Sequence, residues 1–293
     1  MIRVTDQSMS LAAQRALGER QSRLASAQQT ATSGARITRP SDDPAGTGEA
    51  LRVRGDLAAQ AQYQRNIDDG AAWLSTIDSA LDGATGLLRQ VRDAVVQGGN
   101  GSLTQDARDA LATVVDGLRA DLLSSANTRY LGRSVFAGTS DADAAFTDGT
   151  PPTFNGAPGS VARRVGPDTT VAVDTDGRSA FGTGPTSVFT VLDDIAADLR
   201  AGVDPTARLG ALDGAMKNVV AARAEAGTRS ALLQRASQAT TEATTALTSR
   251  RTAIEDVDLG QAVLDLQLQQ TAYQAALAVT AKVLQPSLTE FLR

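Results

Sequence analysis

The sequence predicts a mainly α protein: a rod of long antiparallel, coiled-coil-like helices built from both chain ends, with a small β-rich insertion at its centre. Three observations predict it. Apolar residues recur at heptad spacing from Val53 to Val95, the closing stretch from Thr252 to Arg293 is apolar on two sides of one helix, and the composition between Gly138 and Pro185 turns to Gly, Pro, Thr and Asp. For helices from both ends to pack together, the chain must go out and come back. The expected parts are therefore terminal arms (1–34 with 255–293), a helical rod (35–138 with 186–254) and an exposed insertion (139–185) at the end away from the termini.

The elements follow in order. From Asp6 a thin stripe of Ala13, Leu17, Leu24, Ala27 and Ala31 marks a helix too weakly apolar to hold alone, and Ser33-Gly34 ends it. In the connector that follows, Arg36, Ile37, Pro40, Ser41, Asp42, Asp43 and Pro44 stand close together, and its two prolines forbid a continuous helix. Asp42 and Asp43 lack the histidine or further acidic cluster that a metal or acid–base pair needs. They are read as caps for the next helix, with Pro44 in its first turn. That helix carries Val53, Ile67, Leu74, Leu81, Leu88 and Val95 in one register and Tyr63, Gly70, Ile77, Ala84 and Val91 in the second. Gln60 is the polar exception, and Trp73 lies beside the seam as packing. Gly98-Gly99-Asn100-Gly101 stops the run. Ser102-Leu103-Thr104-Gln105, with capping-box spacing, opens an antiparallel helix whose expected inward residues are Ala107, Leu111, Val114, Leu118 and Leu122.

In the insertion, Thr170 to Asp174 alternates as a strand and Asp176-Gly177 reads as a turn. Gly156, Gly159 and Gly166 are too scattered for a phosphate loop and lack its lysine. Helix returns at Ser187 with Val188, Leu192, Ile195 and Leu199 on one face, and pauses at Gly202 to Pro205. A long pattern then runs from Leu209 to Ile254, before a charged break from Arg250 to Asp258. Beyond it, Val263, Leu266, Tyr273, Leu277, Leu284 and Leu288 line one face, with Val257, Leu264, Leu268, Ala275, Val279 and Val283 roughly opposite. Pro286 is expected to kink this helix near Val283. Gln267, Gln269, Gln270 and Gln274 argue against a membrane span. A helix apolar on two sides is buried either in a globular core or between neighbours in an assembly.

Composition narrows the chemistry. The 293 residues are 42% hydrophobic but only 3% aromatic, and the apolar positions lean on Ala, Leu and Val, which suits closely approaching helices. The chain has no Cys, so disulfides and thiolate chemistry are excluded, and no His, which removes the usual general base and metal ligand. No cofactor, metal or catalytic residue is expected. A net charge of −5 without a basic run gives nucleic-acid binding no support, and Met1 to Gln14 lacks the apolar core of a cleaved signal peptide.

Two stretches carry a family resemblance. Ser33-Gly34-Ala35-Arg36-Ile37 through Pro40-Ser41-Asp42-Asp43-Pro44-Ala45-Gly46, and Gln64-Arg65-Asn66-Ile67-Asp68-Asp69-Gly70 with the heptad helix after it, resemble the bacterial flagellin family. Within the family, Ala126 to Thr139, Gln270 to Leu277 and Ser287 to Arg293 resemble its hook-filament junction members rather than flagellin itself. The resemblance spans 1–139 and 186–293; Thr47-Gly48 departs from it, and the insertion is short for this class.

The resemblance implies export in an unfolded state through the flagellar type III apparatus, and a structural adaptor between hook and filament. Its expected partners are the first hook-associated protein, flagellin, copies of itself in a ring-like assembly and an export chaperone, with no membrane insertion. The implied assembly interface comprises Leu17, Leu24, Leu264, Leu266, Leu268, Tyr273, Leu277, Val279, Leu284, Leu288 and Phe291. A short flagellin is the nearest alternative, and a secreted adhesin or signalling ligand a further one. Some flagellin relatives carry a metallopeptidase in the insertion, but its zinc motif needs histidine.

Overall fold

A computed structural model describes residues 6–284 of the chain. Among them are seven α-helices: α1 (Asp6–Ser33), α2 (Pro44–Gly98), α3 (Gln105–Ala126), α4 (Gly177–Phe181), α5 (Val188–Arg200), α6 (Leu209–Glu255) and α7 (Leu259–Leu284). Between α3 and α4 run β1 (Arg129–Tyr130), β2 (Arg133–Ser134), β3 (Phe146–Thr147), β4 (Thr153–Phe154), β5 (Ala162–Arg164) and β6 (Thr170–Ala172). The expected mainly α class with a small central β insertion is therefore present. Two compact units divide the chain, Met1–Ala58 with Thr244–Arg293 and Ala59–Ala243.

In the unit Ala59–Ala243 the heptad residues Ile67, Leu74, Ile77, Leu81, Leu88 and Val95 are all buried. They meet Leu118 and Leu122 of α3, Leu192, Ile195 and Leu199 of α5, and Leu212 and Val219 of α6 in one continuous core. Each such side chain contributes about 1.5–3 kcal/mol. Gly70 is buried, and its lack of a side chain lets Val173 and Leu233 pack close, since a Cβ there would come 3.0 and 3.1 Å from them.

Three expectations shift by a residue or a role. The inward face of α3 is Ala112, Val115, Leu118, Leu122 and Ala126, while Val114 is half exposed, because packing into the shared core takes Val115 rather than its equally apolar neighbour. Its N-cap is Thr104, whose side chain accepts from the Ala107 N–H, so Ser102 does not open it. Asp176-Gly177 is no hairpin turn: Asp176 caps α4, accepting from the Arg178 N–H at 2.9 Å.

The strands form three separate antiparallel ribbons, β1–β2 just before the insertion and β3–β4 and β5–β6 within it. Strands of two or three residues cannot hold themselves, and aromatic packing replaces the missing ladder. Phe136 meets Phe181 edge-on at 5.3 Å between centroids, and Phe146 lies 5.1 Å from Phe154 and 5.4 Å from Phe189. These rings belong to the same core as the helices. Arg119 fastens the outside, donating to Asp148 at 3.0 Å and to the Gly149 carbonyl at 2.8 Å, with its Nε 2.6 Å from Asp193.

Between β1 and β2, Leu131 has a φ of +48°, the one non-glycine residue with positive φ among those described, and it is 81% exposed. A left-handed backbone costs an ordinary residue roughly 1–2 kcal/mol. The strands below it are fixed: Tyr130 packs 5.4 Å from Trp73 and donates to Asp69 at 3.3 Å.

Candidate assembly interface

The connector and both arms lie in the unit Met1–Ala58 with Thr244–Arg293. Gly34, at φ +67°, ends α1 and turns the chain toward residues near the other terminus. There Ala35 bridges Asp256 in antiparallel register: the Arg36 N–H donates to Glu255 O at 2.6 Å and the Val257 N–H to Gly34 O at 3.0 Å. The Arg36 guanidinium adds two bonds to the Ile254 carbonyl, at 2.9 and 2.8 Å, and lies 3.6 Å from Asp43. Arg36 thus satisfies a carbonyl at the end of α6 that the helix itself leaves open.

The two adjacent aspartates divide the local work. Asp42 accepts from the Thr38 hydroxyl and the Arg39 N–H, both at 2.8 Å, and these bonds hold its carboxyl below the ordinary aspartate value. Asp43 caps α2, accepting from the Gly46 N–H at 2.8 Å, with Pro44 as the first helical residue. Gly46 leaves room for both neighbours: a Cβ would fall 2.4 Å from Asp43 Oδ2 and 2.8 Å from Ile37, so these two side chains would have to shift. Ile37, Leu57 and Leu247 close a small core around Ala50, Val53 and Ile254. Beside it lies a cleft of about 310 Å³ lined by Ile37, Pro40, Thr47, Leu51, Arg54 and Glu255. Pro40 and Ser41 themselves are exposed.

The stretch from Thr252 is not one helix. α6 ends at Glu255 and α7 begins at Leu259, because Asp258 Oδ1 caps the new helix, accepting from Gly260 at 2.8 Å and Gln261 at 3.2 Å. Two charges at the break are paired: Glu255 meets Arg54 at 2.8 Å and Arg250 meets Glu49 at 2.6 Å.

α7 packs on α1 with a face of Ala262, Leu266, Gln269, Tyr273 and Ala276, against Leu17, Leu24 and Ala27. Only Ala27 and Ala262 of these are buried. Leu264, Leu268 and Val279 on the opposite side are 61%, 64% and 62% exposed, and Leu259, Val263 and Leu277 are exposed as well. Val263 and Leu277, expected on one face with Leu266 and Tyr273, stand in solvent instead, because the small residues Ala262 and Ala276 let α1 approach slightly to one side. Leu284 ends the described helix, and Leu288, Phe291 and Pro286 lie outside the described residues.

The pairs Arg36–Ile254, Arg54–Glu255 and Arg250–Glu49 carry no signal in the sequence, because they meet across 201 to 218 residues. No helix is long and apolar enough to cross a membrane and no cluster suits a metal ion, among the described residues.

Residues 4–141 match the family model for the bacterial flagellin N-terminal helical region, and residues 209–292 the one for the bacterial flagellin C-terminal helical region. The chain belongs to the flagellin family. Across 271 residues this flagellin-family chain is 27% identical to flagellar hook-associated protein 3 of Escherichia coli (strain K12), covering 84% of the chain and 85% of that protein. A solved structure of a flagellar hook-associated protein from Vibrio parahaemolyticus matches it with a TM-score of 0.69 at 27% identity, over 73% of this chain and 100% of the other. Flagellin of Salmonella muenchen is 32% identical over 135 residues, but only 46% of this chain and 27% of that flagellin take part. As a member of the flagellin family, the chain is a structural protein of the bacterial flagellum.

Proposed function

We propose that this chain is the adaptor that joins hook to filament, and that it does so by burying the outer face of α7 against neighbouring subunits. The observation that carries the reading is that face: Leu264, Leu268 and Val279 stand in solvent on a helix whose other side already packs on α1. Burying three such side chains contributes several kcal/mol per subunit, at about 25 cal/mol per Å² of apolar area. End-to-end likeness to a hook-associated protein, against partial likeness to flagellin, supports a junction over a filament subunit.

On this reading the terminal arms (1–34 with 255–293) are the assembly elements, with Leu17, Leu24, Leu266, Tyr273, Leu284, Leu288 and Phe291 completing the interface. The connector from Arg36 to Pro44 and the rod (35–138 with 186–254) set the lateral contacts, and 139–185 remains the outward insertion. The partners are the first hook-associated protein on one side, flagellin on the other, copies of itself around the ring, and an export chaperone before assembly. The protein works outside the cell, reaches its place through the flagellar type III apparatus, and catalyses no reaction.

Removing the gene tests the role. A junction predicts flagellin shed into the medium, whereas a short flagellin predicts shorter filaments that stay attached. Leu264→Asp with Leu268→Asp tests the mechanism: unfolding of the purified monomer changes by no more than ~0.5 kcal/mol per site, as for exposed positions, while filament attachment is lost.

A further inference from the structure

The hairpin tip between β1 and β2 presents a leucine where none is needed for folding. Leu131 is 81% exposed, sits in left-handed backbone that glycine or asparagine adopts more easily, and rides on strands anchored through Tyr130 to Trp73 and Asp69. Its flanks are charged and only loosely satisfied. Arg129 and Arg133 are 3.6 and 4.0 Å from the carboxylates of Asp143 and Asp141, which are themselves 98% and 99% exposed. Arg129 also donates to the Asp143 carbonyl.

The same unit carries an open, largely apolar recess along one helix face. On α6, Asp213, Met216, Lys217, Val220, Ala221 and Ala224 recur at helical spacing and line a cleft of about 430 Å³. Val220 is 48% exposed there, and Met216 is a side chain that reshapes readily around an apolar guest. At its rim Asp213 makes a 3.3 Å pair with exposed Arg92, and Lys217 makes no ion pair among the described residues. The charge left without an ion pair at the cleft is Lys217, and the highly exposed carboxylates Asp141 and Asp143 beside the tip are of the sign that complements it.

We propose that the β1–β2 hairpin is a docking knob, and that Leu131 of one copy seats in the α6 cleft of a neighbouring copy. Knob and hollow lie at different places on one chain, so the contact is heterologous and propagates around a ring or along a helix rather than closing as a pair. The inference rests on the proposal that copies of this chain pack beside one another. It does not depend on whether they join hook to filament.

The absence of cysteine from the chain supplies a clean test. Leu131→Cys combined with Val220→Cys, expressed as the full chain in cells lacking the native copy, is expected to give disulfide-linked dimers and higher multimers in isolated flagella under mild oxidation. Each single variant gives no ladder. Flagella that contain the double variant but yield no more cross-linking than the singles overturn the proposal, and so does a Leu131 cross-link to a different flagellar protein. Leu131→Gly covers the case in which the double variant does not incorporate. Relief of the left-handed backbone leaves the monomer at least as resistant to urea, while incorporation falls at least tenfold; unchanged incorporation sinks the idea. Shed filaments on gene removal together with an absent ladder would refute the knob alone, and attached filaments with a clear ladder would refute the junction alone.

Discussion

Individual charged residues hold together parts of this chain that are far apart in sequence, and Arg119 shows how. Its guanidinium faces Asp148 and Asp193, and the two carboxyls respond in opposite directions. The hydrogen bond from Arg119 holds Asp148 below the ordinary value of 3.8, whereas burial pushes Asp193 above it. A carboxyl depressed in the fold contributes stability above 3.8 and loses it as pH falls through its lower folded value. Asp148→Asn is therefore expected to lower the urea midpoint at pH 7, with the difference from the native chain vanishing in acid well below 3.8. Asp193 contributes with the reverse slope: its share is fully present below 3.8 and is lost as pH rises through its raised value. At the connector, Arg36→Ala removes both bonds to the Ile254 carbonyl and is expected to cost about 1–2 kcal/mol in thermal unfolding.

At the scale of elements, local rules decide where helices start and distant contacts decide what they face. Thr104→Ala removes the α3 cap and is expected to cost about 1 kcal/mol, read as a lower unfolding midpoint. Gly177→Ala is harsher, because the new Cβ falls 2.9 Å from the Phe136 carbonyl and 3.0 Å from the Phe146 ring. Unfolding should show a loss of about 1–3 kcal/mol from overpacking. The heptad face of α2 was legible from spacing alone, since a period of seven over many turns leaves a single solution, and Ile67 to Val95 are buried as it requires. The phase of α3 was not legible to one residue, because Val114 and Val115 are adjacent and equally apolar. Nor was the insertion's packing: Phe136, Phe146, Phe181 and Phe189 come together from separate loops, and strands of two residues leave no alternation to read. The two-sided apolar character of α7 was visible in the sequence. Which side α1 takes was not, because it is chosen by the small residues Ala27 and Ala262, which a hydrophobicity pattern undervalues.

For the molecule as a whole, apolar material is spent unevenly. The unit Ala59–Ala243 buries large side chains such as Phe136, Ile77, Leu88 and Leu199 completely, while the arms bury alanines and leave Leu11, Leu259, Leu264, Leu268 and Leu277 exposed. A small interface of this kind gives little free energy of its own, and most of what α7 can gain lies in the face still open to solvent. Limited proteolysis of the purified monomer is therefore expected to cut before Ala35 and after Thr252 first. Cleavage of 59–243 at an equal rate would contradict this.

The bridge between Ala35 and Asp256 sets the direction in which the arms come apart. It holds the end of α1 and the start of α7 within two backbone hydrogen bonds of each other, so the pair behaves as a zipper sewn shut at one end. Each further turn closes a loop of only a few residues, and the local concentration of one arm around the other stays high however often the free ends part. Opening should then spread inward from the far ends. Amide exchange is expected to be slowest around Ala27 and Ala262, and to quicken steadily toward Leu11 and Leu277.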